Sequence, residues 1–534
     1  MVSPLVSFFV PLLLLVIVEQ YLCQFKYCQS GQKQTSRILI SLPRFMDLQL
    51  SLDPGSGIPL HRQIYEEFRR LILNGEWGAG KKVPSSRELA DLLDISRTTA
   101  TSAYNQLLSE GYLKSIAGSG TYVSNELPDK LLFAGTRQEE KTESNGRRFH
   151  DHLSEFGKYL AAQGDFETEG RLMTGGSVAI DQAPLKKWRK LLMKHTEESS
   201  MLALEYSKDS GGYRPLREAI VEYLRRARGV RCTWEQVLIV SGSQQALDFI
   251  VRTHINRGDV AIVEDPCYFG AHRTLSACGA KLAPVAVDEN GLCVDELEKM
   301  TSFKARLIYV TPSHQFPTGV VLPLPRRLKL LQWARENNAV IVEDDYDSEF
   351  RYSGLPIPAL SALDDSGITM YTGTFSKLIF PSLRLGYMVV PPDMVHTYCW
   401  AKRMADHNSP VIEQLALTDF ITDGSLEHHI RRMRTYYDRK RQKLTQTIAN
   451  CFGDRVKVVG ENAGMHLTVR FPEEIHSDRL RELALTCGVP FRSTGANYLN
   501  LPWPQGEYVL GYANIDENVL SKSIEEFARQ LQIS

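Results

Sequence analysis

The sequence has little of three features that would each point to a class of protein. Its formal net charge over 534 residues is −1, so the chain lacks overall basicity and any contact with nucleic acid must be local. Its nine cysteines form no Cys-x-x-Cys pair and show no metal-ligand spacing, which favours a reducing compartment and predicts no bound metal. The apolar run Val6–Val18 is shorter than the roughly 20 residues that span a bilayer, and no basic residue precedes it.

Two interpretations stay open for residues 1–45. In the first, these residues are a signal-like segment or a short membrane anchor. In the second, they are an over-extended reading of the N-terminus, and the natural start is Met46. We favour the second, because the rest of the chain has the composition of an intracellular protein. We therefore expect a cytoplasmic protein with no stable membrane partner.

The length predicts two or three domains, and changes in composition mark their limits. Residues 46–123 form a small helical domain. Residues 124–169 are rich in Glu, Lys, Gln, Ser and Gly, which predicts a flexible linker. Residues 170–534 alternate apolar strands with amphipathic helix-length segments, the pattern of an α/β domain. The predicted strands are 237–240, 260–263, 305–310, 340–342 and 386–390.

Three helices are predicted in the first domain. The first covers residues 59–72, where apolar positions recur at helical spacing. The second follows Ser85, which is placed to form a capping box with Glu88. After a turn at residues 94–95, the third covers residues 96–108 and exposes arginine and hydroxyl groups in its first turn. Its inward-facing residues are Ala100, Ala103, Tyr104 and Leu107.

A glycine turn at residues 118–120 joins two short predicted strands, which form a wing after the third helix. The run from Pro59 to Val123 resembles the winged-helix domain of the GntR family, whose recognition helix meets base edges in the major groove of operator DNA. The alternative is a small three-helix domain whose arginines are solvated. The DNA-binding residues that the resemblance implies are Arg87, Ser96, Arg97, Thr98 and Thr101 on the helices, and Lys114 and Ser119 on the wing.

The stretch from Tyr371 to Lys377 places small and hydroxylated residues before a single lysine, and Arg384 follows shortly after it. The hydroxyl groups of Thr374 and Ser376 and the guanidinium of Arg384 are suited to a phosphate. Apolar residues flank Lys377, and desolvation keeps a lysine amine partly neutral, as attack on an aldehyde requires. The stretch predicts a cofactor-binding turn with a Schiff-base lysine. The alternative is a surface lysine with an ordinary salt-bridge arginine.

Upstream, the apolar run 340–342 ends in a row of carboxylates, at the edge where α/β sheets open their ligand crevice. A buried Asp there can keep the ring nitrogen of pyridoxal phosphate protonated, and a nearby Tyr can hydrogen-bond its phenolic oxygen. Here the chain resembles the fold-type I aminotransferases, and more closely the transcription regulators of the MocR/GabR type. The resemblance implies an aldimine at Lys377, with Asp344 at the ring nitrogen and Tyr346 beside it. A slip of one residue within the acidic row stays open.

The same resemblance assigns further cofactor contacts. Ser243 and Gln244 open a predicted helix, whose N-terminal backbone N–H groups can hold a phosphate. Tyr268 is assigned as the ring stacked on the cofactor, with a packed turn aromatic as the alternative. Tyr206 stands where aminotransferases send a tyrosine into the partner subunit's phosphate site, which implies a homodimer.

One departure from the aminotransferase pattern lies near the phenolic oxygen of the cofactor. Phe316 stands where these enzymes carry an asparagine, and this replacement removes a hydrogen-bond donor. His314 or Gln315 can take over that role. The run His-Gln-Phe-Pro at this point is itself typical of the regulators.

A second departure concerns the substrate carboxylate, which aminotransferases bind with a bidentate arginine. Val509 and Gly270 occupy the two positions expected to carry such an arginine. Arg492 can substitute, although the sequence does not place it. We therefore expect the effector to be pyridoxal phosphate itself, as in regulators of vitamin B6 synthesis, or an amino compound other than γ-aminobutyrate.

Together these motifs predict a multidomain transcription regulator. It combines an N-terminal winged helix-turn-helix with an α/β domain of the fold-type I aminotransferase kind, and it senses pyridoxal phosphate or an amino compound at Lys377. The alternative is a catalytically active pyridoxal-phosphate-dependent aminotransferase with a DNA-binding appendage. Residual aminotransferase activity is compatible with the first interpretation.

Overall fold

The computed structural model divides the chain into two compact units, Met1–Arg147 and Arg148–Ser534, so the boundary falls inside the predicted linker. The predicted N-terminal extension, residues 1–45, lies outside the described residues except for residues 38–41. The residues that the structure describes are 38–41, 49–53, 55–127, 151–163, 178–198, 205, 209–354 and 357–531.

In its described residues, the first unit contains three helices and two small antiparallel sheets. Its elements are β1 (Ile38–Ser41), β2 (Gln49–Leu52), α1 (Leu60–Leu73), β3 (Lys82–Val83), α2 (Ser86–Leu93), α3 (Arg97–Ser109), β4 (Leu113–Ile116) and β5 (Gly120–Val123). β1 pairs with β2, and β5 lies between β3 and β4. The hairpin of β4 and β5 is the predicted wing, and the three predicted helices are confirmed to within a residue or two at their ends.

A capping box marks the start of α2, and a left-handed residue marks its end. Ser85 and Glu88 form the predicted capping box, each side chain accepting from the other's backbone N–H. α2 ends at Asp94, which adopts the left-handed region with φ 50°. Phe68 of α1 packs against Tyr104 of α3 with ring centroids 5.7 Å apart, which holds α3 against the core. The four residues predicted to face inward are all buried, namely Ala100, Ala103, Tyr104 and Leu107.

An eight-stranded sheet forms the centre of the second unit. Its strands are β6 (Val237–Val240), β7 (Val260–Asp265), β8 (Lys281–Asp288), β9 (Gly291–Leu292), β10 (Ala305–Val310), β11 (Val340–Asp345), β12 (Thr369–Thr374) and β13 (Gly386–Val389). Their order is β6-β13-β12-β11-β10-β7-β8-β9. The neighbours from β12 to β8 are parallel, whereas β13 is antiparallel to both β12 and β6. The carboxyl ends of the parallel strands therefore meet at one edge.

Helices pack on both faces of this sheet, and the last helices of the unit pack on one another and beside a smaller sheet. The helices of the described part of the unit are α4 (Glu155–Ala161), α5 (Leu185–Glu198), α6 (Arg214–Arg228), α7 (Ser243–His254), α8 (Phe269–Ala277), α9 (Val294–Leu297), α10 (Leu324–Glu336), α11 (Leu360–Leu363), α12 (Val395–Asp406), α13 (Val411–Thr422), α14 (Ser425–Phe452), α15 (Ser477–Cys487) and α16 (Glu517–Leu531). Alternation along β6 shows the two faces, because Leu238 packs in the cluster that includes α7 and Ile239 in the cluster that includes α6. Within the described residues, no helix is both long and apolar enough to cross a bilayer.

A smaller antiparallel sheet follows, made of β14 (Lys457–Val459), β15 (His466–Arg470), β16 (Phe491–Ser493) and β17 (Glu507–Gly511) in the order β14-β15-β17-β16. The α/β prediction is confirmed, and the five predicted strands correspond to β6, β7, β10, β11 and β13. Two differences stand out. First, β12 covers the first part of the stretch predicted as a turn. Second, α4 lies inside the predicted linker, and the ring centroid of its Phe156 is 5.0 Å from the guanidinium carbon of Arg252.

Candidate functional sites

A cavity of about 340 Å³ opens at the carboxyl ends of the parallel strands in the second unit. The end of β11, the turn after β12 and the start of α7 contribute its walls. Tyr206, the tenth predicted cofactor residue, lies outside the described residues. The other nine all line the cavity: Ser243, Gln244, Tyr268, Asp344, Tyr346, Thr374, Ser376, Lys377 and Arg384.

One part of the cavity is suited to a phosphate. Gly242 and Ser243 line it at the N-terminus of α7, where backbone N–H groups have no partner within the helix. A Cβ at position 242 would lie 3.6 Å from both terminal nitrogens of Arg384, so the guanidinium lies close to the helix start. The Ser376 hydroxyl is buried and finds no hydrogen-bond partner in the described part of the chain. An oxyanion at this point would satisfy the helix, the guanidinium and the hydroxyl together.

Asp344 is the carboxylate of the acidic row that lines the cavity. Tyr309 donates to Asp344 Oδ2 at 2.8 Å and Thr372 to Oδ1 at 3.2 Å. Burial raises the pKa of Asp344 to about 6, although these hydrogen bonds act in the opposite direction. Glu343 and Asp345 are used elsewhere, since Glu343 accepts from two backbone N–H groups of α11 and Asp345 from a buried arginine.

Burial lowers the pKa of Lys377 below the ordinary lysine value, because it disfavours the charged form of the amine. The carboxylates of Asp347 and Asp344 act in the opposite direction, and the charge of Arg492 acts in the same direction. A lowered pKa increases the neutral fraction that can react with an aldehyde. The site can therefore hold a carbonyl cofactor covalently.

Tyr268 and Phe316 form an aromatic wall of the cavity, with ring centroids 5.9 Å apart. The hydroxyl of Tyr268 donates to Gln244 at 3.3 Å, and burial raises the pKa of Tyr268 to about 12. A Cβ at Gly270 would lie only 2.4 Å from both the Tyr268 ring and the Gln244 amide oxygen. A side chain at this position would therefore displace the Tyr268 ring or the Gln244 amide.

Three buried residues, His314, Asp347 and His466, form a cluster near Lys377, and of these sequence reasoning gave a functional role only to His314. His314 Nδ1 lies 2.9 Å from Asp347 Oδ2 and 3.0 Å from the hydroxyl of Tyr346, and the His466 ring centroid lies 4.8 Å from that of His314. The available signal is the regulator-like His-Gln-Phe-Pro run and the fourth carboxylate of the acidic row. His314, Asp347 and His466 offer ligand atoms within 4.8 Å of one another, and the prediction of no bound metal stays a prediction.

The expectation that His314 or Gln315 replaces the missing asparagine finds no support in the geometry. Phe316 and Tyr346 line the cavity, whereas His314 and Gln315 are not among its lining residues. The Nε2 of Gln315 donates to the carbonyls of Pro266 and Phe316 at 2.7 and 2.8 Å, so the amide is already used. Tyr346 lines the cavity beside Phe316, and its hydroxyl lies 3.0 Å from His314 Nδ1.

In the first unit, the predicted DNA-binding residues lie on α2, α3 and the wing. Ser96 caps α3, because its Oγ accepts from the backbone N–H of Thr99 at 3.1 Å. Lys114 is half-buried on β4. The exposed members of the set are Arg87, Ser96, Arg97, Thr98, Thr101 and Ser119.

Comparison with known proteins matches both units. Residues 60–123 match the gntR family of bacterial regulatory proteins, and residues 176–494 match aminotransferase class I and II. The probable rhizopine catabolism regulatory protein MocR of Rhizobium meliloti is 38% identical over 477 residues, which cover 89% of this chain and 94% of that protein. The chain belongs to the MocR/GabR type of transcription regulators.

Other relatives of this MocR/GabR-type chain have the same two parts or the second alone. The pyridoxine biosynthesis regulator PdxR of Corynebacterium glutamicum is 29% identical over 90% of this chain and 98% of its own. The crystal structure of Pyrococcus horikoshii kynurenine aminotransferase, a complex with PMP, has a TM-score of 0.67, is 29% identical and covers 73% of this chain and 98% of its own. LysN of Thermus thermophilus, an α-aminoadipate aminotransferase, has a TM-score of 0.65 and 28% identity over 72% of this chain and 98% of its own.

The MocR/GabR-type chain is thus a transcription regulator with a DNA-binding domain and an aminotransferase-like domain, and the cofactor of the latter is pyridoxal phosphate. The cavity fits this group, since an unpartnered buried hydroxyl and a guanidinium meet at a helix start, close to a buried carboxylate and a lysine of lowered pKa. When bound, pyridoxal phosphate supplies an aldehyde that a primary amine can capture.

Proposed function

We propose that this regulator binds a specific operator through its winged helix-turn-helix, and that its affinity for the operator changes when pyridoxal phosphate, or an amine that reacts with it, occupies the cavity at Lys377. The observation that carries the proposal is the convergence of nine predicted cofactor residues on one cavity, in a chain whose other unit is a gntR-type domain. Regulation then requires only that the ligand bind two arrangements of the chain with different affinity.

The proposed roles in the cavity follow from the chemistry of each group. Lys377 holds the cofactor aldehyde, which its lowered pKa supports. Asp344 pairs with the ring nitrogen, which its burial and its two hydroxyl donors support. Tyr268 packs on the ring. Arg384 and Ser376 bind the phosphate at the start of α7, which the unpartnered Ser376 hydroxyl supports.

The proposed operator contacts come from the first turn of α3 and from the wing. Arg97 and Thr98 are exposed at the N-terminus of α3, the part of a recognition helix that meets base edges. Lys114 and Ser119 on the wing bind phosphates or the minor groove, and Arg87 on α2 binds the backbone. Ser96 contributes by capping α3 and so sets the direction of its neighbours.

We also propose that the regulator is a cytoplasmic homodimer. Three large apolar side chains on and before α5 are exposed by more than half, namely Ile180, Leu185 and Met193. A second copy that covers them would remove this apolar surface from water. Sedimentation of the full chain is expected to give a dimer, and a monomer at concentrations that bind the operator would contradict the proposal.

Fluorescence anisotropy tests the regulator, with the full chain titrated onto DNA from upstream of its own gene and of neighbouring vitamin B6 genes. We expect specific binding that shifts with pyridoxal phosphate, and Lys377→Ala should keep the binding and lose the shift. Arg97→Ala should weaken binding roughly tenfold and spare cofactor uptake, since one base-reading arginine is lost. Arg62→Ala, an exposed arginine on α1, is the matched control. Loss of cofactor uptake in Arg97→Ala with unchanged DNA binding would refute the assignment of the two units.

The aminotransferase alternative makes a different prediction for the same protein. An enzyme would transfer amino groups from an amino donor, which becomes a keto compound, to a keto acid over many turnovers, whether or not DNA is present. The regulator is expected to show little net transfer. Sustained turnover without any operator response would favour the enzyme.

A further inference from the structure

A fully buried lysine lies on α12, the helix that packs against α7. Two lysine side chains are buried in the described ranges, and they differ in how their charge is met. Lys440 donates to the backbone carbonyls of Ala513 and Ile515. Lys402 instead faces a carboxylate, since its Nζ lies 3.0 and 2.9 Å from the two side-chain oxygens of Asp406. No role in the cavity has been assigned to this pair.

The surroundings of Lys402 hold Asp406 in one place. The ammonium has three N–H groups, and the third finds an acceptor in the hydroxyl of Ser409 at 3.0 Å. Burial lowers the pKa of Lys402 below the ordinary lysine value, although the carboxylate of Asp406 acts in the opposite direction. A buried ion pair adds little net stability, because the desolvation of the charges offsets their attraction. The effect of this pair is therefore to fix the position of the carboxylate.

Asp406 in turn fixes the side-chain amide of Gln245 on α7. Gln245 Nε2 donates to Asp406 Oδ2 at 3.1 Å, and Gln245 Oε1 accepts from the backbone N–H of Ser241 at 2.8 Å. An ionised carboxylate can only accept, so it requires the nitrogen end of the amide and leaves the oxygen end for Ser241. Asp406 therefore determines which way the amide points.

The turn before α7 depends on this amide. Gly242 is the N-cap residue of α7, and it has no side chain that could cap the helix. Its φ of 124° lies in a region open chiefly to glycine, the residue with the most backbone freedom to lose. Gln245, at the third helical position, reaches back to the residue before the cap, much as the glutamine of a capping box does. The same turn borders the part of the cavity that is suited to a phosphate.

We propose that Lys402, Asp406 and Gln245 are positioning residues for the phosphate of pyridoxal phosphate, because they hold the turn before α7 so that its first backbone N–H groups face the cavity. This inference rests on the proposed function, which places the cofactor there. None of the three is among the residues that line the cavity. The ion pair carries no net charge, so it acts on the phosphate through geometry. Its loss should therefore weaken binding of the phosphate and spare the rest of the cofactor.

Pyridoxal, which lacks the phosphate, separates this role from a general structural one. Absorbance titration of the full chain would give the affinities for pyridoxal phosphate and for pyridoxal. In Gln245→Met and in Asp406→Asn we expect the affinity for pyridoxal phosphate to fall roughly fivefold or more, as the loss of one or two hydrogen bonds predicts. The affinity for pyridoxal should stay within about twofold. An equal loss for both ligands, or no loss for either, would overturn the proposal.

A charge-matched pair of variants controls for the loss of a cation from α12. Lys402→Met should lower the affinity for pyridoxal phosphate selectively, because it releases Asp406. Arg403→Met removes the neighbouring cation, which is exposed, and should leave both affinities within about twofold of the unmodified chain. The same selective loss in Arg403→Met would show that the charge of α12 matters and not the position of Asp406, which would overturn the proposal.

A double-mutant cycle tests the order of the contacts. Because Asp406 acts through Gln245, the double variant Gln245→Met, Asp406→Asn should lose no more affinity for pyridoxal phosphate than Gln245→Met alone. Losses that multiply would contradict this order. If Asp406→Asn does not fold, the two ligands compared in Gln245→Met decide, because Gln245 itself makes the bond to Ser241.

Operator binding distinguishes this inference from the proposed function. If the variants lose affinity for pyridoxal phosphate selectively but no DNA fragment responds to the unmodified chain, the positioning role stands and the regulator proposal fails. If the operator responds to pyridoxal phosphate and the variants show no selective loss, the positioning role fails alone.

Discussion

Replacing Tyr309 by phenylalanine removes one hydroxyl from the surroundings of Asp344 and leaves the ring in place. That hydroxyl donates to Asp344 Oδ2 at 2.8 Å. A hydrogen bond to a charged group contributes about 1.5–3 kcal/mol, and 1.36 kcal/mol corresponds to about one pKa unit. The pKa of Asp344, about 6 in the unmodified protein, should therefore rise by about one to two units in Tyr309→Phe.

The direction of the effect on cofactor affinity follows from which form of Asp344 is needed. Only the carboxylate pairs with a protonated ring nitrogen, so affinity is present above the pKa of Asp344 and is lost as pH falls through it. The acid limb for binding pyridoxal phosphate, measured by absorbance titration at a series of pH values, should lie near the pKa of about 6 in the unmodified protein. In Tyr309→Phe it should move to higher pH by the same one to two units, roughly.

A matched variant separates this effect from the titration of the cofactor itself. Tyr371→Phe also removes a buried hydroxyl, but that hydroxyl donates to the neighbouring Asp345 at 2.6 Å. Its acid limb should coincide with that of the unmodified protein. Thr372→Val removes the longer bond of 3.2 Å and should cause a smaller shift than Tyr309→Phe. Identical limbs for Tyr309→Phe and Tyr371→Phe would refute the role given to Asp344.

Three further predictions concern other parts of the chain. Ser96→Ala removes the cap of α3 and should lower the stability of that helix by about 1 kcal/mol, measured as faster hydrogen exchange of α3 in the full chain. Gly270→Ala should weaken pyridoxal phosphate binding roughly tenfold, because its Cβ would displace the Tyr268 ring, although alanine favours a helix. Asp347→Asn removes a charge that raises the pKa of Lys377, so in the cofactor-free protein an amine-labelling reagent should modify Lys377 at lower pH.

The first unit could be predicted almost residue by residue because its signals are local. A capping box needs only two residues three positions apart, and Ser85 and Glu88 supply both. The inward face of α3 follows from a 3.6-residue period, and all four predicted residues are buried. Neither inference depends on contacts with residues that are distant along the chain. The role of Ser96 is the exception, because a hydroxyl at a helix start can cap the helix or meet DNA.

β12 shows why the second unit was harder to predict. Its sequence, Thr-Met-Tyr-Thr-Gly-Thr, has few apolar residues and contains a glycine, which indicates a turn by composition. It is nevertheless buried throughout, because β11 and β13 pair with it on both sides. Tertiary pairing therefore overrides local propensity here. The stretch still delivers Lys377 to the cavity, since a strand that ends at Thr374 puts the next turn at the sheet edge.

The register of the small sheet shows why no motif could place Arg492 relative to Val509. Arg492 on β16 stands directly opposite Val509 on β17. Directly opposed residues in an antiparallel pair project to the same face, so a side chain on either strand can serve the same region of space. The resemblance to aminotransferases places a carboxylate-binding arginine at the position of Val509, where this chain has none. The Arg492 guanidinium lies on the adjacent strand opposite that position, but the two residues are separated along the chain by a stretch whose path the sequence does not specify.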